Sequence, residues 1–189
     1  MATTALDSMP VGTVAPAMEL PDVVTKKKVR LTEMVKDFPK GILVIFLCRH
    51  CHYVQHVREE LKRLAAVFMP QGIGFLGISA NDPSLYPEDA PEGLQEMVLE
   101  HEIPFPIVFD ETQEVAKAFT ASCTPDFFLF NAALRLAYHG RLDASSPKNG
   151  LPLTGEDLRA ALEAVCRGEV VAEPFSPSLG CSIKWKEKN

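Results

Sequence analysis

Long apolar runs are missing from this sequence. The longest, Ile42 to Cys48, falls far short of the roughly 20 residues a membrane-spanning helix needs. The opening segment, Met1 to Gly12, has no basic start followed by an apolar stretch, so no secretory signal is visible and a cytoplasmic location is expected. Positive charge is not in excess: the formal net charge is -6, which argues against a general nucleic-acid or anionic-membrane binder. The run Lys26-Lys27-Lys28-Val29-Arg30 is a local exception and reads as a solvated turn and strand edge. Internal repeats and low-complexity blocks are absent. So are a glycine fingerprint for NAD(P) and a flavin motif, so no cofactor is expected and electrons would come from another protein or a small thiol. Cysteine is scarce, with five residues and one close pair. An odd number so spaced is not a structural disulfide framework, and in a reducing compartment such cysteines are catalytic, metal-binding or simply buried.

What is present suits one globular domain. Hydrophobic residues make up 47% and charged residues 23% of 189 positions, near the average for folded proteins, and two cores would each be small. Residues 1–12 lack periodicity and read as a flexible arm, 13–171 as the domain, and 172–189 as a tail packed on it. Val14 to Val35 reads as an irregular lead-in with a small hairpin at Val23–Leu31. Gly41 to Leu47 is apolar on both faces and β-branched, the pattern of a central, doubly covered strand. Val54, Val57, Leu61, Leu64, Ala65 and Phe68 then recur at helical spacing until Pro70 and Gly72. Ile73–Ser79 reads as a strand, a helix is expected from Pro91, and Pro106–Phe109 reads as a short strand. Asp110 and Gln113 have capping-box spacing. Phe127–Phe130 and Leu134–His139 read as paired strands around Asn131-Ala132-Ala133, and a last helix carries Leu158, Leu162, Val165 and Cys166. This order predicts an α/β fold, a mixed central sheet flanked by helices on both faces.

Cys48-Arg49-His50-Cys51 falls where the central strand passes into the first long helix. The spacing puts two sulfurs within one helical turn, close enough for a reversible disulfide. A helix N-terminus favours thiolate, and lowering a thiol pKa from about 8.5 to about 7 raises its ionised fraction at neutral pH from roughly 3% to roughly half. Cys48, at the exposed end, is the expected nucleophile and Cys51 the resolving thiol. Half a zinc site has the same spacing, but there is no second CxxC, and Thr124-Pro125 precedes a later strand, where a cis proline is tolerated. His50, inside the pair, either stabilises a Cys48 thiolate as imidazolium or merely faces solvent. His52 and His56 lie four residues apart and are open to a metal reading or to plain exposure. Cys123 is either a third thiol near the pair or turned away from it by strand alternation. Cys166 reads as core, Cys181 as packing with the sole Trp185, and Glu88, Asp89 and Glu92 as a helix-start cluster.

Gly12–Asp22 (GTVAPAMELPD), Phe46–Val54 (FLCRHCHYV), Asp110–Phe119 (DETQEVAKAF) and Cys123–Phe130 (CTPDFFLF) resemble the thioredoxin-like, AhpC/TSA-type proteins. Within these the chain is similar to the peroxiredoxin-like subgroup, also called thioredoxin family proteins. Tyr86-Pro87-Glu88-Asp89-Ala90-Pro91-Glu92 and Gly180-Cys181-Ser182-Ile183-Lys184-Trp185 look like further signatures of it. The resemblance implies a thioredoxin-like fold with Cys48 and Cys51 as the active pair. It also implies that Pro125 is a cis proline facing them, with Thr124 offering backbone hydrogen bonds to a substrate strand. Three positions depart from the pattern. His52 stands where members commonly have proline, Leu47 where thioredoxins proper have tryptophan, and Gly41–Leu47 contains no acid.

Three functions follow. A thiol–disulfide oxidoreductase would act on a protein or small-molecule disulfide and be reset by an external thiol reductant. A peroxiredoxin-like thiol peroxidase, an antioxidant, would use Cys51, which aligns with the peroxidatic position. Its usual helpers are missing, because Cys48 stands at the Thr/Ser place and Cys123-Thr124 at the arginine place. A non-enzymatic metal carrier would use Cys48, Cys51, His52 or His56.

Overall fold

The computed structural model describes residues 2–4 and 9–187. Its centre is a five-stranded sheet. The apolar segment Gly41–Phe46 (β4) lies in the middle, between Ile73–Ser79 (β5) and Asp126–Asn131 (β8), with Ile107–Phe109 (β6) and Leu136–Gly140 (β9) at the edges. β4, β5 and β6 run parallel, while β8 is antiparallel to both β4 and β9. Alternation along the central strands sorts the core into two halves, as period-two geometry requires. Leu43, Ile45, Phe75, Phe127 and Leu129 face one side, against Val54, Leu61 and Leu64 of His52–Phe68 (α2), Leu94 and Met97 of Pro91–Glu100 (α3), and Leu158 and Leu162 of Glu156–Cys166 (α5). Ile42, Val44, Phe46, Leu76, Ile78, Phe128 and Phe130 face the other, against Leu31 of Leu31–Asp37 (α1) and Ala116 of Glu114–Ala118 (α4). Phe46, Phe119 and Phe128 meet edge to face at 5.4–5.7 Å between centroids, each contact adding about 1 kcal/mol beyond burial. No described helix is long and apolar enough to cross a membrane.

The lead-in differs from its reading. Its hairpin shrinks to Leu20–Pro21 (β2) against Lys28–Val29 (β3), and α1 follows directly. A seven-residue helix that fully buries only Leu31 has too short an apolar stripe to stand out by periodicity. Gln113 is not a third helical position. It precedes α4 in a left-handed conformation, φ 64°, while the Asp110 carboxylate accepts the Ala116 N–H at 2.8 Å.

The termini form a second sheet. Ala2–Thr4 (β1) pairs with Leu179–Ser182 (β10), which pairs with Cys123–Thr124 (β7), both antiparallel. The arm expected over residues 1–12 is therefore paired at its start, and Met9 packs in the core. The part of that expectation falling on residues 5–8 lies outside the described residues. The tail does more than lie on the surface, since β10 joins β7 directly beside Pro125.

Candidate active site

β4 delivers Cys48 to the end of the sheet, and α2 begins at His52, so Cys51 is its N-cap in extended conformation (φ −76°, ψ 120°). The expected helical turn spanning both cysteines is an irregular loop instead. A buried carboxylate from another element shapes it. Asp89 ends the short turn Pro87–Asp89, and its side chain is fully buried. Its Oδ1 accepts the backbone N–H groups of Arg49 (2.8 Å) and His50 (3.1 Å), and its Oδ2 is bonded by His50 Nδ1 and by Asn81 Nδ2 (2.8 Å). The loop thus obtains from Asp89 the hydrogen-bond partners that buried backbone must find.

Both sulfur residues are buried, each at 0% exposure, and all five cysteines are free thiols. Cys48 Sγ lies 3.4 Å from Thr124 Oγ1, and Cys51 Sγ lies 3.2 Å from the Thr124 carbonyl oxygen. The Thr124–Pro125 bond is cis. The expected exposure of Cys48 is overturned: the Asp89 carboxylate and the His50 ring stand within 4.8 Å of its sulfur, and Thr124 contacts it from β7. The two thiols are close, and each shifts the other's ionisation. Cys48 is raised, by the neighbouring thiol first and then by burial and the Asp89 charge. Cys51 is lowered, by the neighbouring thiol first, against the cost of burial. Burial and the Asp89 carboxylate oppose a charge on Cys48, and Cys51 stands at the N-terminus of α2, where a thiolate is favoured.

The other predicted residues scatter. His50 is near Cys48, but its Nδ1 is committed to Asp89 and its ring stacks on Tyr86 at 3.8 Å. His52 is exposed, and His56 bonds Ser145 at 2.8 Å. Among the described residues the metal-type donors that converge are Cys48, His50 and Asp89 rather than the expected Cys48, Cys51, His52 and His56. Cys123 is buried, its sulfur 3.9 Å from the Pro125 carbonyl, and burial and the Asp126 charge raise its pKa. It is a poor nucleophile. Cys166 is partly buried against the core.

Sequence reasoning missed an acid and a thiol. Asp89 looked like a helix-start residue because Pro91 follows it. The buried Asp126 of β8, opposite Phe46, bonds His139 Nε2 at 3.0 Å. Cys181 is no partner of Trp185 alone. It lies opposite Thr124 in register and packs against the core cluster that contains Cys51. The Thr124 edge that the resemblance offers to a substrate strand is thus already occupied by β10.

Comparison with known proteins matches the chain and its fold. The model of the AhpC/TSA family matches residues 11–139. The chain belongs to the AhpC/TSA family. Two solved structures share this AhpC/TSA protein's architecture from end to end. One is an uncharacterized conserved protein from Geobacillus kaustophilus, 45% identical, with a TM-score of 0.95 over 100% of this chain and 98% of that one. The other is a hypothetical protein from Sinorhizobium meliloti 1021, 38% identical, with a TM-score of 0.92 over 96% and 98%. A thiol:disulfide interchange protein of the thioredoxin family from Chlorobium tepidum TLS is 16% identical with a TM-score of 0.62, over 85% of this chain and 99% of that one. At that identity the likeness extends to the thioredoxin-like fold alone. No curated protein matches the AhpC/TSA chain.

Proposed function

We propose that the protein is a thiol–disulfide oxidoreductase whose Cys48 and Cys51 cycle between dithiol and disulfide. One observation carries the reading. Two close, buried thiols, each bonded to Thr124, face a cis Thr124–Pro125 at the junction of a central strand and the first long helix. Membership of the AhpC/TSA family supports it. The thiolate is the species that attacks a disulfide. The Asp89 carboxylate beside Cys48 and the α2 N-terminus at Cys51 favour Cys51 as that species, which makes Cys51 the attacking sulfur and Cys48 the resolving thiol. Attack on a protein or small-molecule disulfide forms a mixed disulfide at Cys51 and expels one substrate thiolate. Cys48 then gives up its proton, displaces the second substrate thiolate and closes the Cys48–Cys51 disulfide. An external thiol reductant restores the pair. The expected result is reduction of a model disulfide such as insulin, abolished by Cys51→Ser, with the double variant Cys48→Ser/Cys181→Ser trapping the mixed disulfide at Cys51. Trapping at Cys48 by Cys51→Ser instead would restore the original order. Activity surviving both substitutions would remove the assignment.

The lowered pKa of Cys51 also favours a second reading, the thiol peroxidase. Stopped-flow mixing with hydrogen peroxide separates the two. Fast oxidation of Cys51 in Cys48→Ser supports the peroxidase, and oxidation only at the rate of a free thiol excludes it.

A further inference from the structure

Cys48 and Cys51 are both at 0% exposure, whereas Cys181 is only partly buried. Cys181 and Cys51 are brought together by one residue. Thr124 accepts the Cys51 thiol on its carbonyl and lies opposite Cys181 in the β7–β10 pairing. The approach is tight. A Cβ at Gly180 would stand 1.9 Å from the Thr124 carbonyl oxygen and 3.1 Å from Pro125 N, so the neighbouring residue brings β10 directly onto the Thr124–Pro125 peptide. The Ile183 N–H adds a bond to the Ser122 carbonyl at 3.0 Å, and Gln113 fixes the strand's continuation through the Lys184 carbonyl (2.9 Å) and the Lys186 N–H (2.9 Å). Thr124 thus gathers three thiols: Cys48 on its hydroxyl, Cys51 on its carbonyl and Cys181 from the tail across the strand pairing.

We propose that Cys181 is a third redox thiol, which relays reducing equivalents from an external dithiol to the buried Cys48–Cys51 pair by exchange at Cys51. This rests on the redox reading of that pair.

In the oxidised protein, Cys181 loses its proton and attacks the Cys51 sulfur. The Cys51–Cys181 bond forms, the Cys48–Cys51 bond breaks, and Cys48 leaves as a thiolate that takes up the proton. No electrons are gained or lost in this step; the disulfide only moves toward the partly exposed tail. One thiolate of the external dithiol then attacks the Cys181 sulfur and releases Cys51 as thiolate. The reductant's second thiol displaces Cys181 from the mixed disulfide. The reductant has lost two electrons and two protons, and the protein has gained them.

The electrostatics suit the order of events. In the reduced protein Cys181 is pushed up to about 11, by burial first and then by the neighbouring Cys51 thiol and its charge. Once Cys51 is bound in a disulfide its charge is gone. Cys181 is then easier to ionise at the stage when it must attack.

The test uses the full chain with two variants. Cys48→Ser is treated under native conditions with one equivalent of diamide, which takes two electrons and two protons from two thiols. Free thiols are then alkylated and the digest is mapped by mass spectrometry. A Cys51–Cys181 disulfide is expected, and recovery of both residues as alkylated thiols overturns the relay. Cys181→Ser, oxidised in the same way, is expected to form the Cys48–Cys51 disulfide as the unsubstituted protein does. Its reduction by dithiothreitol should be at least about ten-fold slower, since exchange rates follow access to the attacked sulfur. Equal or faster reduction overturns the relay and leaves the dithiol reading intact. Failure of Cys181→Ser to form any Cys48–Cys51 disulfide overturns that reading, and the relay with it.

Discussion

Asp89 binds His50 twice, through the backbone N–H at 3.1 Å and through the ring Nδ1, with one oxygen for each. Through this double grip a turn 39 residues away in sequence dictates the shape of the Cys48–Cys51 loop. The same carboxylate opposes ionisation of Cys48, adding to the neighbouring thiol and burial, so one side chain both shapes the loop and biases its electrostatics.

Asp89→Ala leaves the N–H groups of Arg49 and His50 without their acceptor. An unsatisfied buried donor costs about 1–3 kcal/mol, so the urea midpoint should fall by an amount equivalent to about 3 kcal/mol. Asp89→Asn keeps one acceptor oxygen and removes the charge, so it should cost less while lowering the pKa of Cys48. An unchanged midpoint in the alanine variant would show that the loop holds its shape without this residue.

The pH dependence follows from where the proton sits. Cys51 is held down to about 4 by the neighbouring Cys48 thiol, while Cys48 is raised. The thiolate absorbance near about 240 nm should therefore correspond to one thiolate across neutral pH. It should be lost as pH falls through about 4 and be absent in Cys51→Ser. An ordinary unfolded thiol ionises near about 8.5, so between those values the unfolded chain binds more protons at this position. Cys51 then contributes stability that is complete above the unfolded value and lost as pH falls toward the folded one. Above about 8.5 the proton retained by Cys48 acts in the opposite sense. A signal that rises only near pH 8 would contradict the lowered pKa of Cys51.

The parts of the molecule legible in the sequence are those whose pattern is local. Gly41–Phe46 shows itself by an unbroken apolar run and α2 by apolar residues at helical spacing, so the position of the CxxC between them could be read directly. The second sheet had no such signal. Its strands are two to four residues long and come from residues 2–4, 123–124 and 179–182, too short for alternation to register and joined only by long-range pairing. Asp89 was visible as an acid before a helix. That it points backward into the cysteine loop depends on the placement of α3 beside β6, which no local pattern encodes. Cys181 belonged to a recognisable motif, but its meeting with Cys51 required the tail to pair with β7.

Gln113 is a buried polar residue whose amide serves the tail instead of a helix cap. Its Nε2 donates to the carbonyls of Ala80 (2.6 Å) and Lys184 (2.9 Å), and its Oε1 accepts the Lys186 N–H (2.9 Å). Gln113→Ala removes all three bonds and should cost about 2 kcal/mol. The loss should be local as well as global: amide exchange measured by mass spectrometry should accelerate over residues 183–187 while β4 remains protected. Uniform acceleration across the chain would point to general destabilisation, and no change would show that the tail is held by other contacts.

Gly180→Ala separates the cover from the thiols without altering any sulfur. The added methyl would meet the Thr124 carbonyl oxygen at 1.9 Å and its carbon at 2.5 Å. Both are backbone atoms that no rotamer change can move aside, so β10 must shift away from β7. Forcing extra volume into a close-packed site costs about 1–3 kcal/mol, which a fold with two well-filled core halves should survive. The far-UV spectrum should stay that of the parent, while native-state labelling of Cys48 and Cys51 by a bulky thiol reagent should become at least about ten-fold faster, in proportion to the population of the open form. Labelling at the parent's rate, with β10 displaced by the exchange criterion, would mean that the sulfurs are covered mainly from the Asp89 side. The tail would then be a strut and not a lid.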